Sequence, residues 1–280
     1  MRRRLPPTAG GAASTRSLIS SLMEGRAINS TTRRTFLGAV PAFAGGLALS
    51  AQTVTDRNRL TARPGAASGS GAAQPGLHPL GLRPDRDALL YIPDSSQKRE
   101  KAPLIVSLHG ANRNADRGIE LLRSLSDEHG FLLLAPASED GTWDAILGSY
   151  GPDVDFINRS LARTFELRTV DPARIAMAGF SDGATYSLSI GLANGDLFSA
   201  VFGFSPGFVI PGERTGMPPV YISHGTVDPV LPIEVCSRRI VPALKNAGYR
   251  VTYREFEGKH ILPPEVASEA MQWFMAMPSA

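Results

Sequence analysis

A serine with glycine two residues to either side, Gly179-Phe180-Ser181-Asp182-Gly183, follows the apolar run Arg174-Ile175-Ala176-Met177-Ala178 and precedes the helix-like stretch Ala184 to Ile190. No other feature of the chain restricts its fold so narrowly. A strand that turns at once into a helix leaves no room for side chains two residues before and after the turn, and glycine fits both positions. Such a turn is a nucleophile elbow: it lifts the Ser181 hydroxyl clear of the backbone. The five-letter pattern arises easily by chance, so its strand-before, helix-after setting carries the inference.

That setting extends through the C-terminal two thirds of the chain. Ala88 to Ile92, Leu104 to Leu108, Phe131 to Leu134, Ala200 to Phe204, Val220 to Ser223 and Val251 to Phe256 read as short strands. Between them lie helical patterns: Ile119, Leu121, Leu122 and Leu125 on one face ending near Gly130, a helix with Asp153 as its N-cap, a helix over Ile233 to Asn246, and a last one from about Pro264. Strands alternating with amphipathic helices imply an α/β domain whose mostly parallel central sheet is flanked by helices. About 15 residues separate the strands ending at Phe204 and starting at Val220, too few for a large cap domain.

The N-terminal part reads differently. Residues 1–51 hold seven arginines against one acid, Glu24, a net +6 where the whole 280-residue chain is +3, which leaves the remainder at −3. The sequence pI near 9.2 therefore reports the leader, and a basic footprint for nucleic acid is excluded. Thr32-Arg33-Arg34-Thr35-Phe36-Leu37 before the apolar stretch Gly38 to Ala51 resembles a twin-arginine export signal, with small residues at Ala48 and Ser50 for cleavage. The stretch is too short to span a bilayer. The expectation is a precursor handled by the twin-arginine machinery, with Met23 a more compact start, and a periplasmic or extracellular product without a stable membrane anchor. Residues 52–85, rich in Ala, Gly, Ser and Pro, read as a disordered linker, and 86–280 as the catalytic domain. The lone Cys236 permits no intrachain disulfide and reads as a packed thiol. Neither metal nor nucleotide motifs are present, so no cofactor is expected.

A serine hydroxyl needs a base to become a nucleophile, and the base needs an orienting acid. Two downstream loops each follow a strand and supply them: Asp228 in His224-Gly225-Thr226-Val227-Asp228-Pro229-Val230, and His260 in Glu257-Gly258-Lys259-His260. Both fall at the C-terminal edge of the sheet, beside Ser181. Asp228 alternatively starts the turn before Pro229, and His260 is alternatively a solvated loop residue. His109 and His224, next to glycines, read as structural histidines bonded to loop backbone. Backbone N–H groups for an oxyanion hole are expected from Asp182, directly after the serine, and from Ala111 in His109-Gly110-Ala111. Trp143, Tyr150, Phe204 and Phe208 either form an apolar wall for the substrate or belong to the core.

Over about residues 86–278 the chain resembles the α/β-hydrolase superfamily, in particular bacterial phospholipase/carboxylesterase-like esterases, with dienelactone-hydrolase-like and polyhydroxybutyrate-depolymerase-like enzymes as neighbours. Leu108-His109-Gly110, Asp171-Pro172-Ala173-Arg174-Ile175 leading into Gly179 to Ala184, His224 to Val230, and Gly258-Lys259-His260 carry the resemblance. It implies a serine esterase using Ser181, Asp228 and His260, acting on a small-molecule or acyl-ester substrate through an acyl-enzyme. Asp182 departs from the glutamine of many relatives, which bears on substrate range. Ser181 in place of cysteine speaks against dienelactone hydrolysis. Other readings are a thioesterase or peptidase on the same triad, or a secreted binding protein that keeps the fold without turnover.

Overall fold

The computed structural model describes residues 57–65 and 73–278. Its eight-stranded sheet runs in the order β1-β2-β4-β3-β5-β6-β7-β8. The strands are β1 (Gly76–Pro79), β2 (Leu89–Ile92), β3 (Ala102–Leu108), β4 (Leu132–Ala135), β5 (Val170–Phe180), β6 (Ala200–Phe204), β7 (Val220–Gly225) and β8 (Val251–Phe256). β1–β2 and β2–β4 pair antiparallel; from β4 to β8 every pair is parallel. The helices are α1 (Ala115–His129), α2 (Asp144–Leu147), α3 (Pro152–Leu167), α4 (Asp182–Ala193), α5 (Ser237–Asn246) and α6 (Pro264–Met275).

Both faces of the sheet are covered, which is why β3 is buried at every position. Side-chain alternation assigns Leu104, Val106, Met177, Val201 and Ile222 to one face, against Phe156 and Leu161 of α3, Leu188 of α4 and Leu244 of α5. Ile105, Ala176, Ala178, Phe202 and Tyr221 face the other way, against Ile119 and Leu122 of α1 and Met271 and Phe274 of α6. The parallel strands thereby present a common C-terminal edge, to which β5, β7 and β8 deliver their following loops.

Several expectations are corrected. The segment expected to be a disordered linker over 52–85 is structured wherever it is described. β1 lies in it and extends the sheet, and Leu60 and Leu80 are buried in the core. Its polar backbone finds partners far away in sequence: Leu60 N–H donates to Asn194 Oδ1 (2.8 Å), and Thr61 and Ala62 N–H both donate to Asn158 Oδ1 (2.8 Å). Fixed side-chain acceptors supply what this composition lacks in apolar area, so the folded unit begins before residue 86. The expected export leader, residues 1–51, lies outside the described residues. The N-cap assigned to Asp153 is taken by Gly151, with Pro152 opening α3. The α5 helix starts at Ser237 because residues 232–236 form tight turns, Val235 N–H bonding Pro232 O and Cys236 N–H bonding Ile233 O. Cys236 is packed, 3% exposed.

Asn194 is the anchor of the N-terminal segment. Its amide also donates to Asn58 O (2.8 Å) and Ile190 O (2.9 Å), and the side chain is wholly buried. Asn194→Ala strands several buried backbone groups at once and is expected to cost about 2–4 kcal/mol of stability. Urea unfolding tests this, and a cost below about 0.5 kcal/mol, the range of an ordinary surface change, would show that the segment is not anchored there.

Candidate active site

Ser181 stands between β5 and α4 with φ 59° and ψ −121°, a conformation that side chains adopt only under constraint. The constraint is close packing on both sides. A Cβ at Gly179 would stand 2.1 Å from Gly183 O, and one at Gly183 would stand 2.3 Å from Leu108 O. Ser181 N–H donates to Phe204 O (3.0 Å), and its carbonyl accepts the first turn of α4 from Ala184 and Thr185 N–H. The hydroxyl is therefore held at the strand edge by backbone alone.

The loops after β7 and β8 are joined beyond their strands by Thr226 N–H to Phe256 O (2.9 Å) and Val227 N–H to Gly258 O (3.1 Å). This union brings Asp228 and His260 together and leans them towards β5, so that the His260 ring lies 4.8 Å from that of Phe180. His260 Nδ1–H donates to Asp228 Oδ2 (2.6 Å), and His260 Nε2 faces Ser181 Oγ at 2.9 Å. Because a carboxylate only accepts, the imidazole carries its hydrogen on Nδ1 and offers Nε2 to the serine.

Asp228 has no exposed side-chain surface. Burial alone would raise its carboxyl, but hydrogen bonds from His224, His260 and Leu231 N–H outweigh it and hold the group well below the usual carboxylate range. Oδ1 accepts Val230 N–H (2.8 Å) and Leu231 N–H (2.9 Å), while His224 Nε2 lies 3.3 Å from Oδ2. Asp228 thus starts the turn before Pro229 and orients His260; the two readings of this residue are compatible. His224 bonds Leu231 O (2.8 Å) and Ser237 Oγ (2.6 Å), the structural part expected of it.

The loop after β3 is braced from the side. His109 Nδ1–H donates to Gly110 O (2.8 Å), its Nε2 accepts Ser138 N–H (3.0 Å), and its carbonyl accepts Trp143 Nε1–H (3.0 Å). Asn112, at φ 55°, donates its N–H to Gly141 O (2.6 Å). Arg86 spans the same loops, donating to Ser138 O (2.6 Å) and Arg113 O (2.8 Å). Ala111 lies between these fixed points and lines the cleft with Ser181 and His260. The Ala111 and Asp182 N–H groups have no acceptor among the described residues. Neither Arg86 nor Asn112 was identifiable from sequence, since a bracing arginine and a left-handed asparagine leave no pattern.

Asp182 departs from a plain surface acid. Burial raises its carboxyl, partly offset by a hydrogen bond from Thr142 Oγ1 (2.6 Å) that ties the elbow to the 138–143 loop. The expected aromatic wall is corrected. Trp143 and Phe204 are fully buried, Trp143 stacking on Tyr186 with centroids 5.0 Å apart; Tyr150 packs at the rim of the same core. Phe208 is half-buried in the 205–219 connection, outside the cleft lining. That connection lies down on α4, through Gly207 N–H to Thr185 Oγ1 (3.0 Å) and Ile210 N–H to Ser189 Oγ (2.9 Å). The apolar lining comes instead from Leu121 and Leu125 of α1 and from Ile261 and Leu262 after His260, in a cleft of about 970 Å³. Helical spacing places Leu121 and Leu125 on the apolar face of α1, and both also pack against the core, Leu125 buried and Leu121 half-buried.

Residues 154–277 match the phospholipase/carboxylesterase family. Acyl-protein thioesterase 1 of Gibberella zeae is 31% identical over 110 residues, 35% of this chain and 46% of that protein, so the chain spans less than half of this curated relative. Among solved structures, esterase PE8 superposes with a TM-score of 0.55 at 23% identity, over 66% of this chain and 95% of that one. The fluorophosphonate-binding serine hydrolase F of Staphylococcus aureus gives 0.57 at 14% identity, over 73% and 100%. A phospholipase/carboxylesterase from Dyadobacter fermentans gives 0.51 at 20%, over 67% and 95%.

The chain has the α/β-hydrolase fold.

Within this fold, two buried groups titrate in opposite senses. Asp153, 1% exposed, accepts Glu139 N–H (2.7 Å) and Asp144 N–H (2.8 Å); burial nevertheless raises its carboxyl to about 6. Burial lowers His109 to about 4. Between about pH 4 and 6 the unfolded chain ionises Asp153 while the folded protein keeps it protonated, so this group's contribution to stability falls as pH rises. His109 acts the other way: below about pH 6.5 the unfolded chain gains a proton that the folded site refuses, so its contribution rises with pH. The two nearly cancel between pH 4 and 6.5. In Asp153→Asn the falling contribution is gone, and the variant's stability relative to the parent is expected to rise by roughly 2–3 kcal/mol from pH 4 to 6.5. Urea unfolding at the two pH values measures it; parallel curves would refute the assignment.

Among the described residues no cluster of three or more His, Cys, Asp or Glu side chains is placed to hold a metal ion, and no helix is long and apolar enough to cross a membrane.

Proposed function

We propose that the protein hydrolyses carboxylic esters through an acyl-enzyme on Ser181. The observation that carries this reading is the continuous chain from Asp228 Oδ2 through His260 to Ser181 Oγ, at 2.6 and 2.9 Å, opening into an apolar cleft. Ser181 Oγ attacks the acyl carbon as its proton passes to His260 Nε2, and the Ala111 and Asp182 N–H groups receive the developing oxyanion. His260 then gives the proton to the departing alcohol, takes one from water, and the resulting hydroxide releases the acid. Asp228 keeps the imidazole in the required tautomer throughout. Each step balances with water as the only co-substrate.

The likeness to an acyl-protein thioesterase favours one second reading, thioester cleavage on the same acyl-enzyme. Export by the twin-arginine route, supported by Arg33-Arg34 and the apolar stretch that follows, is part of the proposal. The test is labelling with a fluorophosphonate probe, with the adduct located by peptide mass spectrometry, beside turnover of matched ester, thioester and amide substrates. An adduct on Ser181 with ester turnover is the expected result. Absence of any adduct or turnover defeats the reading, and a dominant thioester rate moves it to thioesterase.

A further inference from the structure

We infer that Arg113 is a specificity-determining residue, selecting esters that carry an anionic group, carboxylate or phosphate, a few bonds from the scissile carbonyl. The inference rests on the ester-hydrolase reading and adds a class of substrate to it.

The cleft runs from Ser181 and His260 between α1 and α6, and of the charged side chains on its lining two, Arg113 and Glu128, have no hydrogen-bonded partner of opposite charge among the described residues. Arg117 is bonded to Glu120 and His260 to Asp228, while Glu128, about four turns of α1 away from Arg113, stands 3.8 Å from His129 Nε2, beyond hydrogen-bond reach. The Arg113 guanidinium has no acceptor among the described residues. An unpaired surface arginine is ordinary by itself; the place and rigidity of this one are not. Its carbonyl is held by Arg86 Nη2–H (2.8 Å), and the preceding Asn112 N–H is tied to Gly141 O (2.6 Å). Its Cα therefore stands at a fixed distance, at most about 7 Å, from Ala111, a residue assigned to the oxyanion hole.

The chemistry of the neighbourhood favours an anion. The acids of the lining, Glu120 and Glu128, sit two and four turns of α1 beyond Arg113, and Glu120 is neutralised by Arg117. Between them the surface is apolar, through Leu121, Leu125 and Leu262. A substrate anion drawn to Arg113 gains a charge-assisted, bidentate hydrogen bond beside a low-dielectric wall, where such bonds are stronger than in bulk water. A cationic substrate meets repulsion at the same point.

The experiment compares kcat/KM for charged and neutral esters of matched shape. On the acyl side these are p-nitrophenyl hydrogen glutarate and p-nitrophenyl pentanoate; on the alcohol side, 4-acetoxybenzoate and its methyl ester, each corrected for its full rate without enzyme, which for the glutarate includes attack by its own carboxylate. The wild type is expected to prefer the anion in at least one pair. Arg113→Gln should lower that preference about tenfold or more, mainly through KM, Arg113→Lys should retain part of it, and the preference should shrink as salt is raised. The ratio is internal to each enzyme, so a partly folded variant does not distort it. No anion preference in either pair, or an equal loss on both members of a pair in Arg113→Gln, overturns the inference. Fluorophosphonate labelling is run in parallel: intact Ser181 labelling with flat ratios defeats only the role of Arg113, whereas absent labelling defeats the hydrolase reading beneath it.

Discussion

Ser181→Ala is expected to lower kcat for an activated ester by about 10⁵- to 10⁶-fold, the scale at which loss of a serine nucleophile acts when base and acid remain. The same change should leave stability within about 1 kcal/mol of the parent. The reason for the separation lies in what the hydroxyl touches. Its hydrogen-bond partner in the structure is His260 Nε2, whereas the strained backbone of residue 181 is held by Phe204 O and by its own carbonyl's bonds to Ala184 and Thr185. An alanine keeps all of these and loses only the nucleophile. Stopped assays with p-nitrophenyl esters, paired with a thermal melt, measure both quantities. A binding protein that merely keeps the fold would show the second result without the first. Residual turnover within tenfold of the parent would place the chemistry elsewhere.

The candidate site was legible in the sequence because its geometry leans on local pattern. Glycines at 179 and 183 are demanded by backbone contacts of 2.1 and 2.3 Å, and such contacts leave a mark that survives without coordinates. Strand-then-loop placement likewise located Asp228 and His260, since loops after parallel strands collect at one edge. Features that depend on partners far away in sequence did not show. The segment 57–65 is polar and carries three arginines, and partners about a hundred or more positions later, Asn158, Asn194 and Asp196, together with the burial of Leu60, make it part of the domain. Trp143, in a loop after a strand, reads equally as cleft wall or core; only the fold decides for the core, where its indole is spent on His109 O and the Tyr186 ring. The cleft wall, in turn, comes from leucines on the apolar face of α1 that also pack against the core. Periodicity reports which face of a helix is apolar and not whether another helix covers all of it.

Asp228→Asn should be nearly as damaging to turnover, lowering kcat by about 10⁴-fold, and unlike Ser181→Ala it should also destabilise the fold. Two backbone donors, Val230 and Leu231 N–H, point at Oδ1, so the asparagine carbonyl takes that side and its NH₂ faces the histidines. His224 cannot adapt, because its Nε2–H is committed to Leu231 O at 2.8 Å. His260 can, by moving its hydrogen from Nδ1 to Nε2. In that tautomer Nε2–H points at Ser181 Oγ and cannot accept the serine's proton, which is the cause of the loss. The clash of amide and His224 hydrogens in a site without solvent adds a stability cost of about 1–3 kcal/mol. That cost has a pH signature. The wild-type carboxyl is held well below its usual range, so its stabilisation is present above the unfolded value, near 4, and is lost as pH falls through the lower folded value. The stability gap between parent and Asp228→Asn should therefore narrow on acidification below about pH 4. Unfolding curves at neutral and acid pH, with kcat from the same preparations, test both halves. Turnover within tenfold of the parent would remove Asp228 from the triad, and a gap independent of pH would remove its charge from the stability argument.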